Sequence, residues 1–150
     1  MNAPVAASEP GQGALQICMR LNFAQARLRR KLDDELGTQH GLSLSDFVLI
    51  DALSHSAGLS AAALEAPLGV QRSAVLRQVV ALEKTGWVQR FTDDQGQRLI
   101  ALRAPGRRLH REARETLSFI CKAALFREGS SAGVHDCIET LCNSAVLAVP

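Results

Sequence analysis

The sequence predicts a mainly α-helical fold with one small β-hairpin, a winged helix–turn–helix with long helices at both ends of the chain. Three observations carry this. Ala61 to Gly86 reads as a short helix, a tight turn around Gly69 and a longer helix closed by Gly86. Directly after it, WVQRFT alternates, DDQG turns and QRLIAL returns as a second strand. Apolar stripes at helical spacing then mark the segments before and after this centre.

The longer helix of the pair carries Val70, Ala74, Val75, Val79 and Leu82 on one stripe, the pattern of a helix laid against a core. Its other face opens with Gln71, Arg72 and Ser73 and brings Arg77 one turn later. Two helices joined by a turn, with cationic and hydrogen-bonding residues at the start of the second, suit the DNA major groove. The helix is about as wide as that groove, and its N-terminal dipole favours nearby phosphate. A helix pair alone is also a common element of all-α folds, with solvated arginines on its free face.

At 150 residues the chain has the size of one domain, with no tyrosine and a net charge of +2. The charge is unevenly placed. Residues 68–108 hold eight arginines and lysines against three acids, net +5, while residues 1–67 sum to −2 and 109–150 to −1. The positive field thus sits on the helix–turn–helix and hairpin, as phosphate binding requires. MNAPVAASEPGQG lacks a basic start and an apolar run, so it does not read as a signal peptide. No stretch is long and apolar enough for a membrane span. The four cysteines are therefore expected to be reduced thiols of a cytoplasmic protein.

In chain order, residues 1–13 are expected to be a disordered tail, because they have little to bury. Ala14 to Leu36 reads as one helix with Leu15, Cys18, Leu21, Leu28, Leu32 and Leu36 on a single face, ended by Gly37 and Gly41. Such a helix needs a partner surface, and dimerisation supplies one. Ser43 or Ser45 caps the next helix, with Phe47, Ile50 and Leu53 inward. Ser60 caps the short helix, which Pro67 should end near Ala66. From Pro105 to about Arg127 a stripe of Leu109, Ala113, Leu117, Ile120 and Ala124 marks another helix. Val134, Ile138, Leu141, Cys142 and Ala145 mark a final one. Residues 14–150 then form one winged-helix domain, with a DNA-binding lobe at 42–103 and dimerisation helices at 14–41 and 104–150.

At this point the order of elements and several residues resemble the MarR family of winged-helix transcriptional regulators. The match is strongest over LGVQRSAVLRQVVALEKTGWVQR (68–90), followed by Asp94, Leu102, Gly106 and Arg107. The resemblance implies a homodimer built from the terminal helices, bound to a palindromic operator in double-stranded DNA, with the 71–85 helix in the major groove and the wing beside the minor groove. It implies groove-facing roles for Gln71, Arg72, Ser73 and Arg77, and matches Arg90 to the basic residue that closes the first wing strand. Leu76 stands where the family usually has a hydroxyl, and suits a thymine methyl. In the wing, Asp94 matches, but the arginine expected two residues on is Gly96; Arg98 is its substitute two positions further. Glu65 and Pro67 also depart from the pattern.

The family commonly releases DNA on binding a small aromatic acid, so the resemblance implies a repressor with a small-molecule effector. One branch senses organic hydroperoxides through a cysteine early in the first helix. Cys18 stands in that place and Cys121 about where the branch has a resolving cysteine. Peroxide oxidises a thiolate to a sulfenic acid that a second thiol traps as a disulfide. Against this, the branch uses tyrosine hydroxyls, which this chain lacks, and Cys18 falls on the apolar stripe, where thiols pack inertly. A packed thiol is the favoured reading.

His135-x-Cys137 with Cys142 fits no common zinc spacing, and no metal or cofactor is expected. His40, His55 and His110 stand singly, and Asp33-Asp34-Glu35 reads as a solvated patch. No Ser/His/Asp grouping or phosphate-cradling glycine loop appears, so the chain is not expected to be an enzyme. The rival to DNA binding is a winged helix used for protein–protein contact, its basic face on an acidic partner.

Overall fold

The computed structural model describes residues 10–125, 136, 138–140 and 143. Helix α1 spans Pro10–His40, α2 Leu44–Ser54, α3 Glu65–Leu68 and α4 Arg72–Lys84. Strands β1 (Val88–Thr92) and β2 (Arg98–Leu102) follow, then α5 (Ala104–Leu125). Residues 136 and 138–140 are helical. Val134, Leu141, Cys142 and Ala145 of the expected last helix, and the His135, Cys137 and Cys142 group, lie outside the described residues, as do residues 1–9.

Helix α1 starts at Pro10, inside the stretch expected to be a tail, and continues past Leu36 and through Gly37. Its last turn is held by side chains. Thr38 Oγ1 donates to the Asp34 carbonyl at 2.8 Å, Gln39 Nε2 to Glu35 at 2.9 Å, and the His40 ring meets Thr116 Oγ1 of α5 at 2.9 Å. These bonds offset the weak helix propensity of a glycine. Only the second half of the expected stripe is buried: Leu32 and Leu36 enter the core, and Leu28 packs at its edge. Leu15, Cys18 and Leu21 are exposed within the chain.

Helix α2 begins with a capping box. Ser43 Oγ accepts from the Asp46 N–H, and the Asp46 carboxylate reaches back to the Ser43 N–H. The acidic run is more than a solvated patch. Asp33 accepts from the Leu44 N–H at 2.6 Å, tying α1 to the first turn of α2. Phe47, Leu49, Ile50 and Leu53 are buried. His110 does not stand alone: it is buried, its Nε2 lies 2.8 Å from Asp51 Oδ1, and its ring stacks on Phe47 at 5.6 Å. The carboxylate oxygen only accepts, so Nε2 carries the proton. That contact joins α5 to α2.

The short helix differs from its expectation. Residues 61–64 form turns, closed by Ala63 N–H donating to Ser60 Oγ, and α3 is a single turn that contains Pro67. Proline is tolerated there because N–H groups of a first helical turn have no intrahelical acceptor. Gly69 ends α3 at φ 63, a left-handed conformation that a side chain resists.

In the hairpin, Val88 pairs with Leu102, Arg90 with Ile100 and Thr92 with Arg98. Ile100 also pairs on its other side with Leu59, through hydrogen bonds of 2.8 and 2.9 Å. The wing is thus held at both edges of β2. On the α4 side, Glu83 takes three contacts from Arg90: its N–H at 3.0 Å, Nε at 2.9 Å and an Nη at 2.7 Å. The Arg90 side chain so holds the Glu83 carboxyl below the usual carboxylate range. Where β2 passes into α5, Arg103 N–H donates to the Trp87 carbonyl at 2.9 Å, and Gly106 is buried against that same carbonyl.

Two outcomes follow from these packings. A Cβ at residue 106 would overlap the Trp87 carbonyl, so Gly106→Ala should cost about 1–3 kcal/mol, read as a lower urea midpoint. A depressed carboxyl pKa contributes stability above its unfolded value that is lost as pH falls through the folded one. The Glu83–Arg90 contact should therefore hold at neutral pH and fail only in acid. Protection of the Arg90 amide should fall there in wild type, and be lost throughout in Glu83→Ala.

Candidate nucleic-acid interface

Helix α4 is one-sided. Val75, Val79 and Leu82 are buried, Ala74 is half-buried, and Val70, placed on the same stripe by the sequence, is exposed just before the helix. Gln71, Arg72, Ser73, Leu76 and Arg77 are all exposed. At about 100° per residue Ser73, Leu76 and Arg77 turn away from the buried stripe, while Arg72, three residues before Val75, opens the helix exposed at the edge of that stripe. Val80 and Lys84 continue that face and are exposed too. Both were readable as the next turns of the same series.

Gln71 is the N-cap, extended at φ −71 and ψ 155, and its side chain makes no capping bond. Its amide is therefore left for another partner. Arg72 approaches Glu65 of α3 at 3.8 Å, with both side chains well exposed. A surface pair of that length holds little energy, so the guanidinium can leave it for a phosphate or a base. Arg77 makes no ion pair among the described residues.

The wing residues fall into different situations. Arg90 is committed to Glu83, acting as a strut between the end of α4 and β1. Arg98 is exposed at the start of β2, on the face of the hairpin that Arg90 and Thr92 share. Asp94 is exposed at the turn. Its neighbour Asp93 orders that turn, accepting from the N–H groups of Gln95 and Gln97 at 2.9 and 2.8 Å. An aspartate opening a turn that closes on glycine is a recognisable signal, and it pointed to Asp93 as well as Asp94.

Two grooves adjoin these elements. One of about 650 Å³ lies between α2 and α4, with Leu44, Val48, Leu68 and Ala74 on its walls and Arg29 and Arg77 at its margins. Another of about 620 Å³ lies between α1 and α5, lined by Lys31, Glu35, Thr116, Phe119 and Ile120. Cys18 is exposed on α1, contrary to its expected packing, and Cys121 is half-buried against the core; both are free thiols. Among the described residues no group of three or more His, Cys, Asp or Glu could hold a metal ion. No described helix is long and apolar enough to cross a membrane.

Residues 40–98 match the model of the MarR family. Among solved structures, the transcriptional regulator BldR from Sulfolobus solfataricus is similar at 21% identity, over 90% of this chain and 98% of that one, with a TM-score of 0.80. CouR from Rhodococcus jostii RHA1, bound to p-coumaroyl-CoA, is similar at 22% identity over 89% and 94%, TM-score 0.78. Sco3205 from Streptomyces coelicolor, a MarR family transcriptional regulator in complex with DNA, is similar at 20% identity over 95% and 89%, TM-score 0.77. No curated protein sequence matches. BldR and Sco3205 are transcriptional regulators. The segment that carries α2, α3, α4 and most of the wing is thus similar to the MarR family, within a chain that has the winged-helix fold of these solved structures.

Proposed function

We propose that the chain is a cytoplasmic, homodimeric repressor that binds a palindromic operator and leaves it when a small aromatic ligand or an oxidant acts on it. The observation that carries the reading is the free face of α4, where Arg72, Ser73, Leu76 and Arg77 lie exposed beside an uncapped Gln71. Arginine and glutamine are the side chains best fitted to base edges in the major groove, and serine serves phosphate or base. Lys84 and Arg98 lie exposed near the far end of α4, where the adjoining phosphates would run. Sco3205, of the same fold, is in complex with DNA.

Dimerisation is supported by apolar surface that the chain does not cover itself. Leu15, Ile17 and Phe23 on the first half of α1 are 64%, 66% and 61% exposed, and Phe119 on α5 is 76% exposed. Large apolar side chains left exposed on several sides of one helix point to an interface, and a second copy would set two α4 helices at a fixed separation. The α1–α5 groove, with Phe119 and Ile120 beside Lys31, whose ammonium is paired with Glu35, suits an aromatic ligand; CouR, of the same fold, is bound to p-coumaroyl-CoA. For an oxidant, exposed Cys18 is the accessible thiol.

Selection from a random DNA pool should return a palindrome with half-sites about one helical turn apart. Arg72→Ala and Arg77→Ala should each reduce the preference for that sequence over random DNA by roughly tenfold or more, the worth of one base contact. Wild-type affinity should fall steeply with salt. Unchanged operator affinity in both variants sinks the site assignment, and no bound DNA at any salt favours the acidic-protein reading. Sedimentation should show a dimer that Leu21→Glu with Phe23→Glu dissociates. If peroxide releases DNA equally from wild type and Cys18→Ser, Cys18 is not the sensor.

A further inference from the structure

Gln78 lies on α4 directly after Arg77, half-buried at the groove between α4 and α2. Its Nε2 donates to Asp46 Oδ1 at 2.9 Å and to Ser45 Oγ at 3.3 Å. Asp46 is already in use. Its other oxygen accepts from Ser43 Oγ at 2.7 Å and from the Ser43 N–H at 3.4 Å, completing the cap of α2. One carboxylate therefore closes the start of α2 and grips the middle of α4. The next residue back, Leu44, gives its N–H to Asp33 of α1. A polar chain thus runs from α1 through the first turn of α2 to α4.

Apart from Glu83, which ties the last turn to β1 through Arg90, the rest of the grip on α4 is of another kind. Val75, Val79 and Leu82 press it against the core, and apolar burial has no direction. Such contacts fix how close the helix lies but define its roll about its own axis only loosely. Among the described residues, the bonds from Gln78 are the side-chain hydrogen bonds that join α4 to α2. Hydrogen bonds lose strength steeply with angle and distance. A helix is roughly 5–6 Å in radius with its side chains, so a roll of about 20° sweeps its outer face by about 2 Å. That is well beyond the tolerance of a bond to a base edge.

We propose that Gln78 is a positioning residue that sets the roll of α4, and through it the discrimination of the Arg72, Ser73, Leu76 and Arg77 face. It touches no base itself. The inference rests on the reading of α4 as the DNA-reading helix. Because the chain of bonds begins on α1, whose exposed half carries the second copy in that reading, Gln78 also couples the roll of each α4 to the spacing of the half-sites.

The test uses the full-length protein and the sequence that wild type selects from a random DNA pool. Gln78→Met keeps length and helix propensity but cannot donate. Its preference for the selected sequence over random DNA should fall about tenfold, the worth of a well-made hydrogen bond, and its tolerance of one inserted base pair between half-sites should rise. Affinity for random DNA and the thermal midpoint should stay near wild type. The swap Gln78→Glu with Asp46→Asn rebuilds the bond with donor and acceptor exchanged, and should restore the preference to within about threefold of wild type. Gln78→Met with undiminished preference overturns the proposal. Equal weakening on selected and random DNA overturns it too, as a general loss of fold, and so does a swap that restores nothing. If wild type selects no sequence, the DNA reading itself falls and takes this inference with it.

Discussion

The one constraint on which the rest depends is that α4 is buried along a single stripe. Three side chains, Val75, Val79 and Leu82, sit in a core whose other members come from α1, α2, α5 and the hairpin. Burial that narrow leaves more than half the helix circumference in solvent. It also means that four separate elements must converge beneath α4 for it to be held at all. Leu36 from α1 and Leu42 just after it, Leu49, Ile50 and Leu53 from α2, and Ala113 and Leu117 from α5 meet the same cluster. The fold presents α4 because everything else has been placed behind it.

A face so presented needs direction as well as support, and the polar contacts provide it at both ends of the lobe. At the wing, β2 pairs with β1 on one edge and with Leu59 on the other, and Glu83 ties the last turn of α4 to β1 through Arg90. A two-stranded hairpin alone is marginal in water. Here it is fastened to the connection before α3 and to the end of α4, so its tip projects from a fixed base. At the other side, Asp33, Ser43 and Asp46 fasten the first turn of α2. His110 with Asp51, and His40 with Thr116, lock α5 to α2 and to α1. These contacts make the lobe and the long helices one body.

Much of this was legible because it rests on periodicity and on turn chemistry. The stripe of α4, the alternation of the strands, the Ser43 cap and the glycine at 69 are local signals, and the structure has an element at each. The misreadings share a different cause. Pro67 reads as a breaker until its place in a first turn is known, where its missing N–H costs nothing. Gly37 reads as a terminator, but side-chain bonds from Thr38, Gln39 and His40 carry the helix past it. Asp33, Asp51, Gln78 and Leu59 find partners 11 to 59 residues away, and no spacing rule reaches that far. Arg90 is the instructive case at the site. The sequence marks it as a cation, and only the packing of Glu83 beneath it shows that the charge is already matched.

That distinction changes what charge counting can say about a nucleic-acid surface. The eight arginines and lysines of residues 68–108 include Arg90, which is neutralised in place by Glu83, and Arg103, whose guanidinium lies beside Gly86 just past the end of α4. Arg72 is only loosely held by Glu65, and Arg77 and Arg98 make no ion pair among the described residues. The cations of that stretch that can exchange a counterion for a phosphate are therefore fewer than the eight it holds, and on the α4 and wing surface they are Arg72, Arg77, Lys84 and Arg98, along one exposed strip from the start of α4 to the start of β2. Counterion release scales with the number of phosphates neutralised. A strip of this kind gives each subunit modest electrostatic attraction and leaves selectivity to the geometry of a few side chains, which is why the orientation of α4 weighs more in this fold than its charge.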